Sequence, residues 1–325
     1  MSDSILFEVD GGVAHVTLNR PARLNAINPD AATRWRDIAA EIARRDDIGA
    51  VLFDANGPAF CAGGDVLEMA GLGAASGAGR GVMVTDLADT IHEGHRFLQD
   101  AGKPIVAAVQ GAVAGGGLGF MLVADVIVAS DRAKFVSKYA DIGLTPDCGV
   151  STLLPEAIGM RRALELVLTP RTLSAVEALD WGLVTEVVPA DALADRAREI
   201  ARSWIQGATG AFGQARRLLR GGVGRSYQDA LDDEARTIGA AIETPDAEAR
   251  ISAFAAASKQ QQASAKPAPT VPAAPLAAEL SAPAAPAAPA EPAAPAPAVS
   301  AAPSPSARPK PHPYPAASAD HQEHA

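Results

Sequence analysis

Cysteine is nearly absent from this chain. Two in 325 residues, Cys61 and Cys148, cannot build a disulfide framework, and reduced thiols in a cytoplasmic protein are expected. Each lies within a glycine-bearing turn, where small buried filler and a reactive nucleophile are both open readings. No histidine adjoins either in sequence. Apolar runs of 18 residues are missing, and the N-terminus has no basic and apolar leader, so neither a membrane span nor an export signal is expected. A basic stripe is missing too. Lys and Arg number 28 against 38 Asp and Glu, a formal net charge of −10, which suits nucleic acid poorly. There is no Gly-x-Gly-x-x-Gly, since Phe120 and Leu122 stand where Gly115, Gly117 and Gly119 would need a further glycine. With no Walker sequence and only scattered histidines such as His312, His321 and His324, neither a nucleotide loop nor a metal site is expected. No internal repeat of 20–50 residues is present.

What is present divides sharply in two. From about Lys259 to Ala325 the chain is Ala, Pro, Ser and Gln, and most of its 25 prolines follow Lys266. Without apolar periodicity, and with proline blocking helix and sheet, residues 259–325 read as a disordered or polyproline-II tail, a linker or a docking spacer. The remaining ~258 residues are enough for one large domain with a full core. Residues 5–9 and 13–18 alternate around Asp10-Gly11-Gly12, a hairpin signal. Pro29 to Arg45 has helical spacing with Trp35, Ile38 and Ile42 on one face. Ala50–Phe53, Ile105–Val109, Val126–Ala129 and Thr185–Val188 read as short buried strands between helical stretches, which implies an α/β fold with a largely parallel sheet. Residues 72–81, rich in Gly, Ala and Ser, read as a mobile loop over the site. Asp191 to Ala256 is helical in pattern.

Two glycine turns carry the chemistry. Ile105–Val109 runs on into Gly115-Gly116-Gly117 and an apolar helix expected from Leu118. Phe60-Cys-Ala-Gly-Gly-Asp65 follows the strand at Ala50–Phe53. Glycines at a helix start either serve packing or let a ligand oxygen reach unpaired backbone N–H groups. Two such turns together can supply two donors to one developing oxyanion.

These segments, taken with Leu18-Asn-Arg-Pro-Ala-Arg-Leu-Asn-Ala-Ile27, Ile142-Gly-Leu-Thr-Pro-Asp147, Ile158-Gly-Met-Arg-Arg-Ala163 and Ala178-Leu-Asp-Trp-Gly-Leu-Val-Thr-Glu-Val-Val188, resemble the enoyl-CoA hydratase/isomerase, or crotonase, superfamily. The resemblance spans roughly residues 5 to 258, in the family's order. It implies a crotonase spiral of ββα units over 1–190, a helical oligomerisation region over 191–258 that packs in a homotrimer or dimer of trimers, and the tail over 259–325. It also implies an acyl-CoA substrate, with no cofactor beyond that CoA and no metal. The thioester oxygen would take the N–H groups of Gly64 and Gly116. Ala62, Arg23 and Asp65 would lie along the CoA and acyl path, with Arg20 and Lys103 as nearby positive charges. Asp65 also reads simply as charge on a helix's first turn, Arg23 as a surface charge, and Glu68 and Glu93 as solvated.

The sequence departs from the hydratases at their two glutamates, whose positions fall at Gly119 and Tyr139. Hydration by paired acid–base groups then lacks both. One acid remains, Asp147, and its residue context reads two ways: an N-cap for the following helix, or a general base amid Ile142, Leu144, Cys148 and Val150. In the resemblance, Gly-Leu-Thr-Pro-Asp-Cys-Gly149 matches isomerases of the epoxyphenylacetyl-CoA type, in which one aspartate takes and returns a proton. It also matches 4-chlorobenzoyl-CoA dehalogenase, in which Asp147 and His92 would be nucleophile and base. Of the aromatic box that the dehalogenase needs, Gly64 and Ile91 stand at two places and only Tyr139 is aromatic. His92 reads equally as a helical residue facing solvent, and His95 as sharing its face. An isomerase is the expected activity. Aryl-CoA dehalogenation, thioester hydrolysis and hydration are the enzymatic alternatives, and a scaffold binding acyl-CoA or RNA is the non-enzymatic one.

Overall fold

A computed structural model describes residues 3–71 and 79–264 of the chain. The elements are β1 (Ile5–Asp10), β2 (Val13–Leu18), α1 (Pro29–Arg44), β3 (Ala50–Ala55), α2 (Val66–Gly71), α3 (Arg80–Asp100), β4 (Ile105–Val109), β5 (Ala112–Ala114), α4 (Gly116–Leu122), β6 (Val126–Ser130), β7 (Lys134–Val136), α5 (Val150–Ile158), α6 (Met160–Leu168), β8 (Thr172–Ser174), α7 (Ala175–Trp181), β9 (Glu186–Val188), α8 (Leu193–Gln206), α9 (Thr209–Gly222), α10 (Tyr227–Ile242) and α11 (Pro245–Ser264). The expected hairpin forms. Asp10 pairs with Val13, and Gly11 and Gly12 both take the positive φ that a two-residue turn of this twist requires.

The main sheet runs β1-β2-β3-β4-β6-β9, antiparallel only between β1 and β2. A smaller sheet is ordered β5-β7-β8. After β4 and again after β6 the chain steps from the large sheet into the small one before its next helix. This is the expected ββα spiral. The central strands are apolar on both faces, as a parallel sheet covered by helices demands. Val51, Phe53, Ile105, Ala107 and Val109 face the principal core with α1 and α3. The alternate residues Leu52, Val106 and Ala108 pack with Val128 against Leu193, Ala197 and Ala201 of α8.

Helix α1 begins where its residues require. The Asn28 side chain accepts from the Ala31 N–H at 3.0 Å, Pro29 fills the first position, and Trp35, Ile38 and Ile42 are buried. Lys103 does not serve as a free charge for a ligand. Its ammonium donates to the carbonyls of Ile42 and Arg45, closing the C-terminus of α1.

Helices α8 to α11 occupy the stretch expected to be helical, and α11 continues to Ser264, beyond the compositional boundary at 258. The extension, Lys259-Gln-Gln-Gln-Ala-Ser264, is mostly good helix formers and has no proline. The rest of the expected tail, and residues 72–78 of the expected loop, lie outside the described residues, while Arg80 and Gly81 open α3. One ion cluster ties α9 to the sheet. Asp125 accepts from Arg216 at 2.6 Å, from Arg220 at 3.1 Å and from the Ile105 N–H at 2.8 Å, and Arg216 also donates to the carbonyls of Leu98 and Gln99. Arg216 is buried, and that carboxylate is the counter-charge it meets there. Asp125→Ala is expected to lower unfolding stability by about 3 kcal/mol or more, because it strands a buried guanidinium. Urea denaturation reads this directly. A loss of only ~0.5 kcal/mol would place the cluster with ordinary surface pairs.

Candidate active site

The two glycine turns meet. Ile27 bridges Gly64, with its N–H donating to the Gly63 carbonyl at 2.8 Å and its carbonyl accepting from the Asp65 N–H at 2.9 Å. Cys61 bridges Val113 of β5, and the Ala114 N–H donates to the Cys61 carbonyl at 2.9 Å. The Gly63 and Gly116 backbones are thereby pressed together. A methyl group on Gly63 would stand 3.0 Å from the Gly116 nitrogen. Among the described residues, neither the Gly64 nor the Gly116 N–H donates a hydrogen bond within the chain. Helix α4 starts at Gly116 rather than at the expected Leu118, after Gly115 with φ +52°. It starts early because its glycines sit against other backbone. A Cβ on Gly117 would run into the Cys61 carbonyl, and one on Gly119 into the Cys148 carbonyl.

Asp147 comes to the same place from the turn before α5. It lines a narrow pocket with Gly64, Gly116, Ile27, Met69 and Phe120. It is not an N-cap: Gly149 holds that position, and the Asp147 main-chain carbonyl accepts from the Val150 N–H at 3.0 Å. Its side chain is engaged instead by Tyr139, whose hydroxyl donates to Oδ1 at 2.6 Å. Burial and the adjacent carboxylate push the Tyr139 phenol far above its ordinary range, so it remains a donor. The expected apolar surroundings are only half present. Cys148 and Val150 are buried, whereas Ile142 and Leu144 are exposed, because the segment before Pro146 runs along the surface.

The other expected residues divide. Asp65 is buried and receives Arg23 at 2.9 Å, Arg20 at 3.0 Å and the Glu68 N–H at 3.3 Å. Burial alone would raise its pKa, but these donors outweigh that and hold the carboxyl below the usual range. It is a capping and clamping group rather than a second acid. Glu68 is likewise paired, with Arg20 at 3.0 Å. Arg23 keeps part of its surface open, and Ala62 donates its N–H to the Leu24 carbonyl at 3.0 Å. His92 is half-buried, and its Nε2 accepts from the Cys148 N–H at 3.1 Å. His95 does not share that role. Its Nδ1 accepts from the Trp35 indole N–H at 3.0 Å, and burial first, then nearby His92, lowers its pKa to about 3.

Two contributors escaped the sequence reading. Met69 places its methyl group over Gly64, where a Cβ would otherwise lie. Asn25 is buried at φ +56°, and its amide donates to the carbonyls of Asn56 and Ala59 at 2.8 Å each, fixing the approach to Cys61. An asparagine's tolerance of left-handed backbone was the available signal.

Both cysteines are free and buried. Burial pushes the Cys61 thiol up to about 12 and holds the Cys148 thiol well above its ordinary value, with Asp147 adding to the second. Iodoacetamide at pH 8 should therefore leave both thiols unmodified in the native protein and alkylate both in denaturant, as read by intact mass. Rapid native labelling of either would contradict this assignment.

Known proteins resemble this chain over most of its length. A Mycobacterium tuberculosis protein named as a probable enoyl-CoA hydratase is 35% identical over 256 residues, 78% of this chain and 95% of the relative. The 1,2-epoxyphenylacetyl-CoA isomerase of Escherichia coli is 33% identical over 234 residues, 72% and 88% of the two chains. The crystal structure of an enoyl-CoA hydratase/isomerase from Cupriavidus metallidurans superposes with a TM-score of 0.71 at 32% identity, covering 78% of this chain and 94% of its own.

 The family model for enoyl-CoA hydratase/isomerase matches residues 8–263. With most of its length matched and its two glycine turns converging on one pocket, the chain belongs to the enoyl-CoA hydratase/isomerase family.

Proposed function

We propose that this protein is an acyl-CoA isomerase that shifts a double bond or rearranges the acyl group through an enolate, with Asp147 as its acid–base group. The carrying observation is that Asp147 lines the pocket together with both glycines whose N–H groups have no partner among the described residues. The two positions at which hydratases carry glutamates hold Gly119 and Tyr139. A side chain at 119 would collide with the Cys148 carbonyl, and Tyr139 is already bonded to Asp147. A single carboxylate suits proton removal and return better than paired activation of water.

In this scheme the thioester oxygen accepts the Gly64 and Gly116 N–H groups. Asp147 Oδ2 takes a proton from the acyl chain. The C–H electron pair moves into a new carbon–carbon double bond, and the carbonyl π pair moves to the oxygen held by the two amides. The same carboxyl then returns the proton at a different carbon, and the thioester carbonyl re-forms. No electrons are gained or lost, and no cofactor beyond the substrate's own CoA is needed. Tyr139 stays on Oδ1 and keeps Oδ2 directed to the chain. Arg23 and the Ala62 backbone flank the path for CoA. The apolar residues left exposed on α9 to α11, among them Leu219, Ile238 and Phe254, suit a homotrimer or a dimer of trimers. Two free, buried cysteines suit the cytoplasm.

Mass spectrometry of a trans-2-enoyl-CoA incubated with the enzyme in D₂O tests this reading. Deuterium should enter the acyl chain without net addition of water, and Asp147→Asn should abolish that entry while leaving CoA binding nearly unchanged. Net addition of water would instead mean hydration. Tyr139→Phe should lower kcat about tenfold or more, from loss of a hydrogen bond to a charged group, with little change in KM. An unchanged kcat would remove Tyr139 from the scheme.

A further inference from the structure

A backbone N–H can only donate, so the contact between Cys148 and His92 fixes the state of the imidazole. Nε2, 3.1 Å from the Cys148 nitrogen, must present its lone pair, and in the neutral ring the proton then sits on Nδ1. The one basic nitrogen of His92 is already in use. It is not free to take a proton from water, which is what hydrolysis or dehalogenation through this histidine would require.

The bond falls on a demanding piece of backbone. Cys148 has φ +52° and Gly149 φ +78°. A left-handed residue other than glycine is strained and persists only where its surroundings hold it. The surroundings here are specific. The Cys148 carbonyl and Cβ lie against Gly119 of α4, and its Sγ lies 3.3 Å from where a Cβ on Gly116 would be. The first turn of α5 takes the Asp147 carbonyl through the Val150 N–H. Tyr139 takes the carboxylate. From α3, the link to this turn is His92. The Cys148 N–H belongs to the same peptide plane as the Asp147 carbonyl, so holding that N–H sets the backbone from which the carboxylate projects.

We infer that His92 is a positioning residue, an acceptor on the Cys148 amide that fixes the Asp147 turn, and not a general base. The inference rests on the reading of Asp147 as the acid–base group. His95 is a separate group: its Nδ1 accepts from Trp35, so its proton lies on Nε2, the opposite tautomer.

The test compares His92→Gln with His92→Phe in the full-length protein, using deuterium entry into trans-2-hexenoyl-CoA as the activity. Glutamine offers a carbonyl oxygen in place of Nε2 and cannot act as a base. Phenylalanine fills the space without an acceptor. The expected result is near wild-type kcat for His92→Gln and a kcat lower by about tenfold or more for His92→Phe, with KM little changed in both. Equal loss in both variants would restore the general-base role, and equal activity in both would reduce His92 to filler; either result overturns the inference. Two measurements do not depend on turnover. Nitrogen NMR should find the Nδ1–H tautomer at His92, and the Nε2–H tautomer there would overturn the inference. Amide exchange at Cys148 should accelerate about tenfold in His92→Phe and not in His92→Gln, and unchanged exchange would likewise overturn it. Asp147→Asn, assayed alongside, separates the two levels: full activity in that variant defeats the reading of Asp147, whatever the histidine variants do.

Discussion

The site depends on one close approach of backbone to backbone. Gly117 and Gly119 let α4 lie directly against the carbonyls of Cys61 and Cys148, with no room for a Cβ at either place. The first contact sets the turn that carries Gly64, and the second sets the turn that carries Asp147. Helix α4 is therefore the common reference for the Gly64 and Gly116 N–H groups and for the Asp147 carboxylate. Its position is in turn secured by complete burial of its apolar residues, Leu118, Phe120 and Met121, in the principal core. Interiors pack too densely for such a helix to shift by a methyl group's width without loss elsewhere, which converts core packing into precision at the pocket.

Charge is used sparingly and mostly as a fastener. Asp65 holds Arg20 and Arg23 beside the entry to the site. Asp125 holds Arg216 and Arg220 and so ties the C-terminal helices to the sheet. Lys103 closes α1. Each of these charges meets a partner before any ligand arrives. Asp147 differs because its partner is a neutral phenol, which orients the carboxylate without neutralising it. That contrast sets Asp147 apart from the ion-paired acids more clearly than burial does.

Much of this was legible in the sequence, and the limits have physical causes. Strands such as Ile105–Val109 and the helix with Trp35, Ile38 and Ile42 follow from periodicity alone, because burial on one or two faces leaves a local pattern. The glycine turns and Asp147 were legible because each lies in a short run with a recognisable order. What stayed hidden was pairing across distance. Nothing near His92 in sequence announces the amide of Cys148, and Asp65 looked available for a ligand until Arg20 and Arg23 were found on it. Ile142 and Leu144 misled for a related reason: apolar character in an irregular segment does not say which way the backbone turns. The early start of α4 was missed because glycine is a poor helix former by propensity, and close packing overrode that preference.

The contact at Gly119 also bears on how such a protein changes over generations. An acid at that position cannot be introduced alone, because the first atom of its side chain already meets the Cys148 carbonyl. The turn beyond Asp147 would have to move first, and that turn is held from α3, α5 and Tyr139 as well. Substitutions toward a two-carboxylate site therefore have a required order, with the earlier steps loosening the turn that carries Asp147. A lineage that has closed this gap has set a steric ratchet behind it.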